Sequence, residues 1–330
     1  MHSKLIGGFA VLVALSTARL GTAQLQPNPN GVQIQVTPVQ GNIYVLSGAG
    51  GNITVQAGKD GVLMVDTGLA ASASGVMAEV RKLSTAPVLF IINTHVHPDH
   101  VGGNEAFAKV SGGAEIGNTG GRLDGDQPLK IIAHKNVLNR MTTPVGANTP
   151  PPQRGLPEDE YFTPFKDLRF NGEAIIVYHE PNAHTDGDSV VLFRGSDVVS
   201  TGDIFTPQGY PFIDLERGGS IEGEIAALNH ILELTVPGKT QEGGTYVIPG
   251  HGRICDEADV VEYRDMVVII RDRIQDMVKK DMTLNQVKQA RPTRDYDTEY
   301  VSENSFVKAD QFVEAIYKGL TQSKRGGSTK

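Results

Sequence analysis

The sequence of 330 residues lacks tryptophan, contains a single cysteine, and is poor in aromatic residues, which make up 6% of it. The one cysteine, Cys255, excludes an internal disulfide, so a stable fold has to rest on its hydrophobic core. Runs of lysine or arginine are also absent, and the formal net charge is −8 at pH 7. This charge pattern argues against nucleic acid or an anionic membrane as a partner. A chain of this length can nevertheless bury a large core.

A long apolar run is found at the start of the chain. Lys4 precedes an apolar segment from Leu5 to Leu15, and the small residues Gly21-Thr22-Ala23 follow it. This order is typical of a secretory signal peptide, which we predict for residues 1–23. The segment is short for a membrane span, and an uncleaved anchor is the alternative. We therefore expect a periplasmic or secreted protein without a stable membrane span after processing.

The pattern of apolar residues predicts two series of strands, each followed by helices. Strands are expected at 43–46, 53–56, 62–65, 88–93 and 130–133, and then at 167–170, 173–179, 189–193, 197–200 and 245–248. Helices are expected at 69–83, 98–110, 134–141, 220–235 and 256–280, and in a C-terminal segment with apolar residues at Phe306, Ala309, Val313, Ile316 and Leu320. The repeated order predicts an α/β (α+β) fold, a sandwich of two sheets with helices outside.

Two segments are predicted to be irregular. Residues 24–40 are rich in Pro, Asn and Gln and form an irregular lead-in. Residues 142–165 are rich in proline, and they form either a surface linker or a loop over the substrate cleft.

The densest cluster of chemically active side chains is His95-Val96-His97-Pro98-Asp99-His100, directly after the apolar run 88–92. Imidazole and carboxylate are side chains that zinc and similar divalent ions prefer. Pro98 disfavours helical backbone at the residue before it and suits the first turn of a helix. Ligands on its two sides should therefore point in different directions, as two ions require. Because three histidines lie within six positions, a chance polar loop is the weaker interpretation, and we predict a metal site.

Three more candidate ligands stand at the ends of apolar runs. His184 follows the run 173–179, Asp203 follows 197–200, and His251 follows 245–248. Glycines beside Asp203 and His251 permit tight turns. Because α/β folds place chemically active residues at strand ends, we expect these side chains to join the first cluster.

The chain resembles the metallo-β-lactamase superfamily of binuclear metal hydrolases. The matching motifs, in the family's order, are His95-x-His97-x-Asp99-His100, His184, Asp203 in Thr201-Gly202-Asp203, and His251 in Pro249-Gly250-His251. The resemblance implies a four-layer αββα sandwich of two mixed sheets with outer helices, formed by a domain at 41–255 with C-terminal helices at 256–330 packed on it. It also implies a small-molecule substrate and zinc as cofactor, two ions per chain, with iron and manganese left open.

By the same resemblance, His95, His97 and His184 bind one metal; Asp99, His100 and His251 bind the other; and Asp203 bridges them. Two cations lower the pKa of a bridging water, so that hydroxide can attack a polarised carbonyl group. Asp99 is the candidate catalytic residue, because it could orient this nucleophile or take its proton. The sequence is thus interpreted as an exported zinc-dependent hydrolase.

Departures from the family's patterns bear on the substrate. One lactamase subclass has a cysteine where Asp203 stands and a lysine where Thr206 stands, and Cys255 lies too late in the chain to take the first role. Asp203 instead resembles the bridging aspartate of the glyoxalase II and lactonase branches, although the thioesterase branch has a histidine where Asp188 stands. An ester or a lactone is therefore preferred over a β-lactam.

Two other functional classes compete with hydrolysis. An iron-dependent oxidoreductase, similar to the persulfide dioxygenases of this superfamily, would use an overlapping set of ligands. A non-catalytic metal-binding accessory of a periplasmic redox system would retain the metal ligands but would not turn over a substrate. Metal stoichiometry and oxygen consumption separate these alternatives from a zinc hydrolase.

Several neighbouring residues have weaker assignments. Tyr210 and Phe212 are predicted to line the substrate pocket, with the Tyr210 hydroxyl able to bind a carbonyl oxygen. Asp66 is either a partner of a ligand histidine or a turn or cap residue. Thr94 and Thr185 are candidates for orienting ligands, and the histidines interpreted as structural are His134, His179 and His230.

Overall fold

A computed structural model describes residues 33–110, 128–143, 154–238, 243–303 and 305–326. The predicted signal peptide, most of the predicted lead-in and the part of the proline-rich segment at 144–153 lie outside the described residues. Within the described ranges, no helix has the length and apolar character needed to cross a membrane.

Among the described residues, the first sheet has seven strands that follow one another in chain order. The strands are β1 (Gln35–Gln40), β2 (Ile43–Ser47), β3 (Ile53–Gly58), β4 (Gly61–Val65), β5 (Val88–Ile92), β6 (Lys130–His134) and β7 (Asp159–Tyr161). Strands β1 to β4 pair antiparallel, and β4 to β7 pair parallel. Parallel neighbours need a crossover, and helix α1 (Ala73–Leu83) supplies it between β4 and β5.

The second sheet, within the same described ranges, has five strands in the order β12-β11-β10-β9-β8. They are β8 (Phe165–Phe170), β9 (Glu173–His179), β10 (Ser189–Phe193), β11 (Val198–Ser200) and β12 (Tyr246–Ile248). Strands β8 to β11 are antiparallel, and β11 pairs parallel with β12.

The remaining helices lie mostly outside the sheets. They are α2 (Pro98–Val101), α3 (Asn104–Val110), α4 (Lys135–Thr142), α5 (Ile221–Leu234), α6 (Glu257–Lys279), α7 (Leu284–Ala290), α8 (Asp297–Tyr300) and α9 (Ala309–Gly326).

Separate hydrophobic cores of the described chain define four layers. Between the sheets, Val65 of the first sheet shares a core with Val191 of the second. Outside the first sheet, Val76 of α1 belongs to another core. Outside the second sheet, Leu228 of α5 and Val267 of α6 belong to a third core, to which α9 also contributes. The predicted αββα sandwich of two mixed sheets is therefore confirmed.

Two boundaries in the first half differ from the prediction. Residues 35–40, predicted as the end of an irregular lead-in, form β1, and Pro38 is tolerated there because an edge strand is paired on one side only. The helix predicted at 98–110 is two helices, α2 and α3, separated by Gly102 and Gly103. At Gly103 a Cβ would lie 2.5 Å from the carbonyl oxygen of Thr67, so the break lets the chain pack closely on the end of β4.

A third difference concerns the C-terminal segment. Phe306, predicted on the apolar face of the last helix, precedes α9 and is 81% exposed. The helix begins later because the side chain of Gln311 accepts a hydrogen bond from the Lys308 N–H at 2.8 Å and caps the helix start.

Candidate metal centre

The loop after β5 carries the first ligands on both sides of a helix start. His97 has extended backbone, with φ −68° and ψ 147°, and Pro98 begins helix α2 directly after it. A missing N–H costs nothing at this helical position. His95 and His97 therefore precede the helix, whereas Asp99 and His100 lie in its first turn, as the sequence predicts.

Three imidazole nitrogens converge at one position. His97 Nδ1 lies 3.1 Å from His95 Nε2 and 2.9 Å from His184 Nε2. His184 comes from the loop between β9 and β10, so strands of both sheets contribute. Asp203 Oδ2 lies 3.8 Å from His95 Nε2 and 3.8 Å from His184 Nε2. These four residues form the first ligand group.

The opposite nitrogen of each of these three imidazoles has its own partner. The partners are the Thr94 hydroxyl for His95 at 3.0 Å, the Asp214 carboxylate for His97 at 2.9 Å and the Phe212 carbonyl for His184. Thr94 donates its own proton to Asp66 at 2.7 Å, so it accepts from His95. Each imidazole thus carries its proton on the outer nitrogen, and three lone pairs face one another. A cation satisfies such an arrangement.

The second ligand group consists of Asp99, His100 and His251. His251 Nε2 lies 3.2 Å from Asp99 Oδ2, and His100 Nε2 lies 3.7 Å from the same oxygen. Asp203 Oδ1 lies 3.2 Å from His100 Nε2 and 3.5 Å from His251 Nε2. The two oxygens of Asp203 therefore face different groups, which is the geometry expected of a bridging carboxylate.

Two buried atoms between the groups test whether the residues fit a metal. His100 Nε2 and Asp203 Oδ1 have no hydrogen-bond partner among the described residues. His100 Nδ1 lies 2.7 Å from Asp66 Oδ2, so in the neutral imidazole it is Nε2 that carries the lone pair. Buried polar atoms are rarely left unsatisfied, and a divalent cation would satisfy both. The histidine and aspartate side chains thus fit a divalent metal site, and all seven predicted ligands are brought together.

Burial and charge act in opposite directions on the histidines. Burial lowers the pKa of His95 well below its ordinary value and lowers the pKa of His184 to about 4, so both are neutral at pH 7. Neutral imidazole is the form that binds metal. Burial also opposes protonation of His251, but hydrogen bonds to Asp203 and Asp99 raise its pKa to about 9. At His251, a proton therefore competes with a metal cation for the imidazole nitrogen.

Comparison with known proteins identifies the family. The model of the metallo-beta-lactamase superfamily matches residues 37–239. The chain belongs to this superfamily. A linear primary-alkylsulfatase of Pseudomonas sp. (strain ATCC 19151) is 47% identical over 49 residues, which is 14% of this chain and 9% of the alkylsulfatase.

Solved structures share the fold of this chain. A sec-alkylsulfatase from Pseudomonas sp. matches 90% of this metallo-β-lactamase-fold chain with a TM-score of 0.63 and 15% identity. The chain spans about half the length of that enzyme, 52%. A metallo-β-lactamase from Pontibacter korlensis matches 72% of the chain and 99% of its own, with a TM-score of 0.53 and 15% identity. At these identities the likeness concerns the fold.

Asp214 is a residue of the centre that the sequence did not reveal. Its Oδ2 lies 2.9 Å from His97 Nε2 and 2.8 Å from Arg217 Nη1. Burial opposes ionisation, but the hydrogen bonds from His97 and Arg217 hold the pKa of Asp214 well below its ordinary range. The carboxylate therefore fixes the proton of His97 on Nε2 and leaves Nδ1 for a metal. Asp214 ends the segment 208–214, which the sequence suggested only as a lining of the substrate pocket, and no motif indicated its contact with His97.

The structure decides the assignment of Asp66, which the sequence left open. Asp66 Oδ2 accepts from His100 Nδ1 and from Thr94 Oγ1, both at 2.7 Å. Asp66 is therefore a partner of a candidate ligand histidine. Thr94 also contacts a ligand, His95, whereas Thr185 hydrogen-bonds Asp188 with its N–H at 2.6 Å and its hydroxyl at 2.7 Å.

The three histidines interpreted as structural lie outside both ligand groups. His134 caps helix α4 and stacks on His179 with ring centroids 3.5 Å apart. Burial lowers the pKa of His134 to about 4, and the nearby His179 contributes to the shift. His230 Nδ1 lies 2.6 Å from Glu180 Oε1. Each of these contacts joins secondary-structure elements.

A cleft of about 590 Å³ opens above the two ligand groups. Asp99, Asp203 and His251 line one part of it, and Phe212 lines another. Phe212 thus has the predicted position in the pocket.

Tyr210 only partly agrees with its predicted role. It borders the cleft but is 2% exposed, and its hydroxyl lies 3.2 Å from the Thr293 carbonyl oxygen and 3.0 Å from Asp297 Oδ1. Its ring stacks on Phe312 of α9 with centroids 5.0 Å apart. The C-terminal segment thus engages this hydroxyl, and its predicted hydrogen bond to a substrate carbonyl stays a prediction.

Proposed function

We propose that this chain is a metal-dependent hydrolase that holds two divalent ions, with zinc the first choice. The observation that supports the proposal is the pair of ligand groups around Asp203, with unsatisfied buried atoms between them and an open cleft above. When bound, the ions would lower the pKa of a shared water and polarise the substrate. His95, His97 and His184 would hold one ion, and Asp99, His100 and His251 the other.

Asp99 is the residue we propose to act on the attacking water. Its side chain is 31% exposed and lines the cleft, so it is accessible to solvent and substrate. An ionised carboxylate at this position can accept a hydrogen bond from water and take its proton. Asp203 is 14% exposed and lies between the groups, so its proposed role is to hold both ions.

The substrate we propose is an ester or a lactone. The names of the two alkylsulfatases add alkyl sulfates to the compounds that should be tested. A β-lactam is less favoured because Thr206 carries no charge that could hold its carboxylate, and its hydroxyl lies 3.1 Å from the Tyr263 hydroxyl.

Export is part of the proposal and rests on the sequence at 1–23. We propose a periplasmic or secreted protein in which this segment is removed. N-terminal sequencing of the protein recovered outside the cytoplasm tests it, and recovery of the full-length chain from the cytoplasm alone would contradict it.

Metal analysis combined with a substrate panel tests the proposed hydrolase. Zinc-loaded protein should bind about two ions per chain and hydrolyse an ester, lactone or alkyl sulfate. His97→Ala and Asp203→Ala should lose bound metal and hydrolysis together, because each removes a ligand atom.

His134→Ala is the matched control, since it removes a buried histidine that lies outside the ligand groups. Full activity of metal-depleted Asp203→Ala protein would contradict the proposal. Binding of iron with oxygen consumption would favour the oxidoreductase instead, and metal binding without turnover would favour the accessory protein.

A further inference from the structure

Two phenylalanines expose large apolar surfaces in the cleft. Phe212 is 38% exposed and Phe306 is 81% exposed, and both line the cleft. Their rings meet edge to face, with centroids 5.3 Å apart. The ring centroid of Phe212 also lies 5.9 Å from that of His97 and 5.6 Å from that of His184. Exposed apolar surface costs free energy, and a contiguous patch of it typically marks a binding site.

The chain before α9 holds Phe306 in this position. The Ser302 N–H donates to Ser305 Oγ at 2.7 Å, and Lys308 Nζ donates to the Ser302 and Glu303 carbonyl oxygens at 3.0 and 2.7 Å. Val307, the next residue, is buried in the core outside the second sheet. The side chain of Phe306 is thus exposed to solvent, while hydrogen bonds and the buried Val307 hold the backbone around it in place.

A second cavity of about 160 Å³ shares Phe212, Phe306 and Val307 with the cleft. Its other lining residues include Ile213 and Phe312, and Gln311 is its one polar residue among the described ones. The phenylalanine pair therefore borders two spaces: the cleft above the ligand groups and an apolar side cavity.

Apart from the histidines of the ligand groups, the walls of both spaces have no basic side chain among the described residues. None of the described residues that line them is lysine or arginine. The cleft wall has five uncharged polar side chains, those of Thr206, Gln208, Tyr210, Ser302 and Ser305. The wall around Phe212 and Phe306 can therefore bind an uncharged apolar group, but it offers no cationic side chain to an anionic one.

From this geometry we infer that the substrate carries an uncharged alkyl or aryl group, which packs against the exposed faces of Phe212 and Phe306 and extends into the side cavity. The inference rests on the proposed function, since the reacting bond would lie over the ligand groups. It assigns Phe306 as the residue that sets the preference for chain length.

A series of p-nitrophenyl esters from acetate to octanoate tests the inference in the zinc-loaded protein. We expect kcat/KM to rise about threefold for each added methylene, because each one leaves water for an apolar wall. For esters whose acyl chain has the same length but ends in a carboxylate, kcat/KM should not rise in this way. A flat series, or equal rates for neutral and charged chains, would overturn the inference.

Phe306→Ala should lower kcat/KM for the octanoate ester by about tenfold, mainly through KM, and leave the acetate ester little changed. Phe162→Ala is the matched control, because Phe162 is 77% exposed and is not among the residues that line the cleft. An unchanged chain-length series in Phe306→Ala would overturn the assignment.

A binding measurement separates this inference from the proposed function. Because the chain has no tryptophan, Phe306→Trp introduces a single fluorescent reporter. Titration with 1-octanol should shift its emission, whereas the emission of Phe162→Trp should stay constant. If the wild type hydrolyses no ester, the proposed function fails while the octanol titration still tests the apolar site. No response of the Phe306→Trp protein to octanol would overturn the inference even if esters are hydrolysed.

Discussion

At the scale of single residues, the centre depends on the partners that orient its ligands. His97 is held by Asp214, His100 by Asp66, and His184 by the backbone carbonyl of Phe212. Each partner fixes the proton on the outer nitrogen and leaves a lone pair for a metal. The affinity for metal should therefore depend on residues that never touch it.

Asp214→Asn should weaken metal binding by about tenfold to a hundredfold, because an amide holds the proton of His97 less firmly than a carboxylate does. Competition with a chromophoric chelator measures the change. Asp186→Asn is the control, since Asp186 pairs with Arg140 at 2.7 Å and lies outside both ligand groups. Equal affinities of the Asp214→Asn and wild-type proteins would show that Asp214 does not orient His97.

Gly250→Ala should lower metal occupancy although every ligand is retained. A Cβ at Gly250 would overlap Asp203 Oδ1 and lie 2.7 Å from the Gly202 carbonyl carbon, so the bridging carboxylate has to move. Metal content after dialysis measures the loss. Gly319→Ala is the control because a Cβ there has open space. Wild-type occupancy in the Gly250→Ala protein would contradict the close packing described here.

At the scale of elements, a hydrogen-bonded pair of side chains connects helix α5 to the end of β9. His230 on the helix lies 2.6 Å from Glu180, and the Tyr178 ring packs against the imidazole with centroids 4.9 Å apart. The hydrogen bond to Glu180 raises the pKa of His230, although burial opposes the shift. Because α5 packs in the same core as α6, this pair helps to hold the outer helical layer on the second sheet.

The stability lost in His230→Gln should depend on pH. A histidine whose pKa is raised by folding stabilises the native state below its unfolded pKa of about 6.5, and this contribution is lost as pH rises through the folded pKa. The difference in Tm between wild type and variant, both metal-free, should therefore be largest below about pH 6 and shrink in alkaline buffer. A difference that is constant with pH would indicate a packing effect alone.

At the scale of the whole molecule, the C-terminal segment completes the cleft. The superfamily match ends at residue 239, yet Ser302, Ser305 and Phe306 line the cleft opposite the ligand groups. The segment is attached through Phe312 and Tyr300, whose rings stack on Tyr210 with centroids 5.0 and 5.7 Å away. Six of the seven candidate ligands thus lie within the matched region, whereas part of the cleft wall comes from the segment beyond it.

Phe312→Ala should destabilise the protein by about 3–5 kcal/mol and still bind metal, because Phe312 is fully buried in the outer core and the ligands stand at strand ends elsewhere. Urea unfolding and metal analysis measure the two effects. Phe162→Ala, at a site 77% exposed, should change stability little. Loss of metal from the folded Phe312→Ala protein would show that the two parts are coupled.

Local patterns predicted much of the fold and located the residues that form the two candidate ligand groups. Apolar runs located strands such as β5 and β9, and the spacing of apolar residues located α6 at 257–279. The break at Gly102 and Gly103 was missed because it results from close packing of Gly103 on Thr67, a tertiary contact. Phe306 was misplaced because its apolar spacing matches that of the helix that follows it.

Candidate ligands can be found in the sequence because imidazole and carboxylate can bind metal in any fold. The ends of neighbouring strands then bring such side chains close together. The tertiary structure alone decided what surrounds them. It brought Asp214 to His97 across 117 positions and turned the Tyr210 hydroxyl toward the C-terminal helices. It also exposed Phe306 beside Phe212. Such contacts depend on how distant segments pack, and no local pattern of residues encodes them.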